Sequence, residues 1–379
     1  MDREPYPAAR SVSAGVLAYF ARHHADFSPE GSPAVAAAPD RHIVEAIIDA
    51  AFWASLRREE GYVPKISLAF LPPEQTTHPL VFERPLPLDP GLLTRVAPAV
   101  ERPGIHLGVW RDAGELTVWG IARPLPQLCF VVEVAAPGLL VIKHHTGEPS
   151  GKFINVAVLE GDQIKMIDGQ SSGLADCSSL LSSLLGLDAP ANWVHSGNVL
   201  ARMSLSMRAH GRGGSLLVVP AASDAWRESI VAPMPYAASQ PLTELAVLGR
   251  ATPAEAERRA WKESLGRAID AVAGLTAVDG AVVMTGQLEV LGFGAKIVRR
   301  KGWAPVEQVT ATEPIQGGAG TLVHPEQLGG TRHFSAAQFA QDQRDSVALV
   351  ASQDGRFTVF AWSARGNMVQ AHRIETLLL

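Results

Sequence analysis

Leu275-Thr276-Ala277-Val278-Asp279-Gly280-Ala281-Val282-Val283-Met284 is the stretch whose reading decides the C-terminal half of this 379-residue chain. An apolar run behind an Asp-Gly pair reads as a strand entered through a turn. Asp279 then stands at the strand's edge, where its carboxylate could hold a divalent cation against phosphate oxygens. Further along, Gly330-Thr331-Arg332-His333 opens a helix-like stretch. Arg332 could fork onto a phosphate and His333 could donate a hydrogen bond. The amides around Gly330 and Thr331 could face an anion at a helix N-terminus. The two segments together suggest a nucleotide site.

Outward from Asp279, the chain continues into a hairpin with Gly286 as its turn, and later into apolar runs at 347–351 and 356–360. Upstream, Ala254 to Val272 reads as a helix with Ala260, Trp261, Leu265, Ile269 and Val272 on one side. Ser215 to Pro220 reads as the first strand of a sheet, entered through Gly211-Arg212-Gly213-Gly214, and Val199 to His210 as the helix before it. Strands interleaved with helices predict an α/β layered domain, a mixed sheet flanked by helices, over 201–379. Residues 1–200 read differently. Two helices, Val12 to His24 and Arg41 to Arg58, flank a turn cluster at 28–33, and Asp40 is placed to cap the second. From Val63 onward, short apolar or β-branched runs separated by Pro and Gly predict a mostly β unit behind a helical start, an α+β domain. The boundary is expected between about 170 and 215. No sequence repeat with a short period is visible.

The order and company of these motifs resemble the diadenylate cyclase domain, which joins two ATP molecules into cyclic di-AMP. The resemblance covers the Asp279-Gly280-Ala281 strand and its hairpin, the Gly330-Thr331-Arg332-His333 helix start, and the turn after the 347–351 run. It implies that Asp279 coordinates Mg²⁺ or Mn²⁺ and polarises an attacking 3′-hydroxyl. Thr331, Arg332 and His333 would hold the triphosphate, with Gly280, Ala281 and Gly330 lining the nucleotide and Ser352 and Asp354 on the remaining phosphate or metal side. It also implies a homo-oligomer in which two such domains face each other. Two departures stand out. Phe334 replaces a second arginine after the histidine, and Ser352-Gln353-Asp354 replaces Ser-Glu-Glu. An aromatic ring at 334 and an amide at 353 also suit a receptor that binds a nucleotide or cyclic nucleotide without turnover. The N-terminal region, helix first and strands after, is similar to the sensor regions called DACNV found upstream of some cyclase domains.

Composition narrows the remaining classes. With 47% hydrophobic and 19% charged residues, the chain can bury large cores, and its net charge of −5 lacks the basic excess of a nucleic-acid binder. Lys296, Arg299, Arg300 and Lys301 form a local exception, read as a solvated loop or as one wall of an anion site. Cys129 and Cys177 are far apart and form no Cys-x-x-Cys unit, so neither a disulfide framework nor a zinc site is expected. The best apolar run, Leu128 to Ile142, is broken by Glu133 and by Pro137-Gly138, and no basic-then-apolar leader opens the chain. A cytoplasmic protein with no membrane anchor is the expectation. Gly147-Glu-Pro-Ser-Gly-Lys152 comes near a phosphate-binding loop but is one residue short, with Phe153 where a hydroxyl must touch magnesium; it reads as an exposed turn. His144 and His145, adjacent on a strand, point to opposite faces and read as one surface and one buried histidine.

Overall fold

The computed structural model describes residues 4–25, 35–112, 114–146, 153–168, 199–251 and 258–379. The turn cluster at 28–33, the Gly147 to Lys152 turn and Cys177 lie outside them. Contacts divide the chain into two compact units, Met1–Asp168 with Leu379, and Gly169–Leu378. Among the described residues there are seven α-helices and two mixed sheets. No described helix is long and apolar enough to cross a membrane.

In the first unit, α1 (Pro7–Ala25) and α2 (Arg41–Ser55) precede an eight-stranded sheet, and α3 (Pro90–Val96) lies between its second and third strands. The strands are β1 (Ser67–Phe70), β2 (Leu80–Pro87), β3 (His106–Asp112), β4 (Glu115–Ala122), β5 (Phe130–Ala136), β6 (Leu139–His145), β7 (Phe153–Glu160) and β8 (Gln163–Met166). Their order is β2-β4-β3-β1-β5-β6-β7-β8. Only β1 and β3 run parallel; the other neighbours are antiparallel. Asp40 caps α2 as expected, its Oδ1 accepting from the Ile43 amide at 2.9 Å. The side-chain period of two divides β1 between faces. Leu68 and Phe70 pack under Val44, Ile47 and Ile48 of α2, while Ala69 sits with Trp119, Cys129 and Val131 on the far side. The same two-sided covering buries both His144 and His145, each 4% exposed. Expecting one at the surface underestimated the second face: His144 meets Tyr19 and Phe20, His145 meets Phe153.

In the second unit, α4 (Val199–Ala209), α5 (Glu244–Gly249), α6 (Arg259–Leu275) and α7 (Thr331–Asp342) flank a nine-stranded sheet. Its strands are β9 (Gly214–Val219), β10 (Tyr236–Leu242), β11 (Ala281–Thr285), β12 (Val290–Ala295), β13 (Val309–Thr312), β14 (Thr321–Val323), β15 (Val347–Ala351), β16 (Phe357–Ser363) and β17 (Met368–Arg373). The order is β10-β12-β11-β9-β15-β16-β17-β13-β14, with β9 parallel to β11 and β13 parallel to β17. Central strands covered on both sides need apolar residues at every position, and β9 and β15 are buried throughout. Leu216 and Val218 face Met203, Met207, Leu265 and Ile269 of α4 and α6. Leu217 and Val219 face the α7 side with Ala336, Phe339 and Ala340. This is the mixed sheet flanked by helices expected for an α/β domain.

The two sheets share a plan. β2-β4-β3-β1-β5-β6-β7 and β10-β12-β11-β9-β15-β16-β17 follow the same sequence-to-space order with the same relative directions. Registers correspond as well: Leu68 pairs with Leu107 and Val132, as Leu216 pairs with Val282 and Leu349. The largest difference lies in one connection. Residues 123–129 join β4 to β5, whereas 296–346 join β12 to β15 and contain β13, β14 and α7.

Candidate functional site

Register gathers the sequence-predicted residues at one end of the second sheet. Ala281 pairs with Ser215 and with Ala295, and Gly214 pairs with Ala351. The residues just beyond those pairs, Asp279-Gly280, Gly213, Lys296 and Ser352-Gln353, therefore share that end. α7 brings its first turn to the same place: Arg332 Nη1 lies 3.0 Å from where a Cβ on Gly213 would stand, and Gln353 Cγ lies 3.4 Å from that point. Glycine is required at two of these corners. Gly213 holds φ +69, and Gly280 holds φ +108 with the Gly294 carbonyl pressed where a side chain would begin.

Charge at this end is concentrated in three side chains. The Asp279 carboxylate is bonded to the Lys296 ammonium. That bond and its charge, with a smaller contribution from Arg332, hold the Asp279 carboxyl below the usual aspartate range. The Asp279 side chain is nevertheless 86% exposed and that of Lys296 51%. Among the described residues, nothing accepts a hydrogen bond from the Arg332 guanidinium. The α7 N-cap, Gly330, supplies no side-chain bond, and among the described residues the Thr331 and Arg332 amides at the exposed helix start have no acceptor.

The other predicted residues play different parts. His333 is 2% exposed, edge-on to Phe360, over Gly329, and its Nε2 is buried with no partner. Burial pushes its pKa down to about 4, so the ring is neutral at physiological pH. Asp354 is engaged within its own hairpin by the Ser352 hydroxyl, by the Arg356 amide at 3.4 Å and by the Arg356 guanidinium at 3.3 Å. Gly330 and Thr331 are exposed at the helix start, while Ala281 is buried in the core behind them. Phe334 is half-buried and stacks on His324. The basic run divides: Lys296 belongs to the site, whereas Arg300 bonds Glu228 at 2.6 Å and lies over Trp303.

A divalent cation is what the resemblance implies for Asp279. Such ions take several oxygen ligands, usually carboxylates with substrate phosphates and water. Here the Asp279 carboxylate already carries an ammonium, Asp354 is turned to Arg356, and among the described residues no three His, Cys, Asp or Glu side chains converge. The donors present do not fit a protein-held cation. They do fit an anion, with Lys296 and Arg332 beside one carboxylate and Arg332 carried on a helix start. Sequence reasoning named Lys296 only as part of a basic run; its place one residue past the end of β12, opposite Asp279, was the signal that could have singled it out.

The first unit has no equivalent of this site. Gly104, three residues before Leu107, holds the register position that Asp279 holds three before Val282, and the connection bearing α7 is missing. It offers instead an open cleft of about 490 Å³ between α2 and the β2 and β4 strands, lined by His42, Asp49, Pro85, Leu88, Glu115 and Thr117 among others. No curated protein matches the chain. No match to the diadenylate cyclase domain was found. Residues 33–123, the stretch from the approach to α2 through β4 that contains every residue lining the cleft, match the family model described as "Probable sensor domain DACNV".

Proposed function

We propose that this chain is a cyclic di-AMP signalling protein in which an N-terminal sensor domain accompanies a C-terminal domain that binds nucleotide phosphates at the Asp279 end of its sheet. The match of 33–123 to a sensor family associated with diadenylate cyclases supports the signalling context. The observation that carries the binding site is the convergence on Asp279 of Lys296 and of Arg332, whose guanidinium has no hydrogen-bond acceptor among the described residues, at a helix start that carries the Thr331 and Arg332 amides. A phosphate there would gain charge-assisted hydrogen bonds from each. Asp279, Gly280, Ala281, Gly330, Thr331, Arg332, Ser352 and Asp354 form or border the site. His333 supports it from below, its neutral ring fixing the α7 start against Phe360.

Titration calorimetry with ATP and with cyclic di-AMP tests this reading. Arg332→Ala is expected to weaken binding by about tenfold to a hundredfold, the loss of one charge-assisted contact. If the intact protein binds neither ligand, the reading falls.

A second reading is synthesis of cyclic di-AMP, favoured by the exposed, ionised Asp279 on its Asp-Gly-Ala strand. It requires two copies with these sheet ends facing, because two nucleotides must react with each other. Product chromatography after incubation with ATP and Mn²⁺ or Mg²⁺, beside Asp279→Asn, tests it: cyclic di-AMP that disappears in the variant would establish synthesis.

A further inference from the structure

We infer that this site takes the nucleotide's polyphosphate as a bare anion, without a divalent cation, and that Lys296 supplies the positive charge a metal would otherwise bring. The inference rests on the nucleotide-binding reading above and specifies how that site recognises its ligand.

The geometry supports it in three ways. First, the Asp279 carboxylate is bonded to the Lys296 ammonium, and Asp354, the other acid bordering the site, is paired with Arg356, so a cation arriving there must displace a basic side chain. Second, the position of Lys296 is fixed by backbone: it follows Ala295, which pairs with Ala281, and Asp279 lies just before Ala281 on the neighbouring strand. Third, Asp354 and Arg356 offset each other, which leaves the Asp279 carboxylate against the two cations Lys296 and Arg332, with Arg332 near enough to lower the Asp279 pKa. The surplus is positive before any metal is added. Coulomb attraction between that surplus and a phosphate acts without a bridging ion. An ammonium shared between a carboxylate and a phosphate oxygen keeps a donor for each, since lysine has three. The neutral, buried His333 adds no charge of its own.

The experiment is ATP binding by calorimetry on the full chain in excess EDTA and again in Mg²⁺, for the wild type, Lys296→Met and Asp279→Asn. Both positions are exposed, 51% and 86% by side chain, so the variants are expected to fold, which circular dichroism checks. Wild-type affinity is expected to agree within about threefold between EDTA and Mg²⁺. Lys296→Met should weaken binding by about tenfold or more in EDTA. Asp279→Asn should tighten it, because a negative charge facing the phosphates is gone. Wild-type binding that needs Mg²⁺ and vanishes in Asp279→Asn would overturn the metal-free site while leaving nucleotide binding intact. Binding in neither condition removes the nucleotide reading, and this inference with it.

Discussion

Gly280 shows how much of the site is decided by single residues. Its φ of +108 and the Gly294 carbonyl against its α-carbon leave no room for a side chain. Gly280→Ala is expected to destabilise the second unit by about 2–4 kcal/mol, through positive φ and overpacking together, read as a lower thermal midpoint. An unchanged midpoint would mean that β12 does not press on the Asp279 corner. Asp279 and Arg332 were singled out by local signals, Asp279 directly before Gly280 at a strand start and Arg332 two residues after Gly330 at a helix start. His333 was not. Its burial depends on Phe360 and Gly329, which the sheet and the approach to α7 bring to it, and no neighbouring letter states that. Lys296 was half legible, since its charge was visible but its pairing across β11 and β12 was not.

Among the elements, a strong apolar period made a segment readable, and a cap alone did not: α3 carries the Asp89 cap and was missed. α2 has both, and Asp40→Ala is expected to cost about 1 kcal/mol by removing the bond to the Ile43 amide, measured by denaturant unfolding. β10 has neither: every residue from Tyr236 to Leu242 is exposed, and Pro241 interrupts it. β2, with Pro85 and Pro87, escaped for the same reason. Both are edge strands, where proline is tolerated and blocks further pairing. The helix expected over Ala254 to Val272 is α6, Arg259–Leu275, with 254–257 outside the described residues, and Ala260 is exposed because the buried face begins only with Leu265. In the β11–β12 hairpin the left-handed residue is Leu288, φ +68, and Gly286 instead donates its amide to Val219 of β9 at 2.9 Å. α7 is held by Phe339, which is fully buried against the strands. Phe339→Ala should cost about 3–5 kcal/mol and weaken ATP binding with it, since the helix start carries Arg332; loss of stability with full affinity would separate the helix from the site.

At the scale of the molecule, four of the buried histidines among the described residues, His106 and His144 in the first unit and His333 and His372 in the second, are each pushed down to about 4 by burial. Each stays neutral when folded and takes a proton near 6.5 when unfolded. Their stabilisation is therefore complete above about pH 6.5 and is lost as pH falls through about 4, at about 1–3 kcal/mol apiece. Urea midpoints at pH 7.5 and pH 5 should differ clearly, and a flat profile over that interval would contradict the burial. A helical-then-β first part and an α/β second part were expected from texture. Their common strand order was not, because equivalent strands share only a pattern of burial: Ser67-Leu-Ala-Phe70 and Gly214-Ser-Leu-Leu-Val-Val219 have little else in common.

That shared order has an evolutionary consequence. A scaffold carried twice within one chain relaxes selection on one copy, which can shed a reactive corner and drift toward another task while its twin is kept in check. Gly104 and Asp279 occupy matching places under different constraints. A deep mutational scan should separate the two: changes at Gly104, which holds φ +80, should lower the amount of folded protein, whereas changes at Asp279 should lower signalling while the fold is kept.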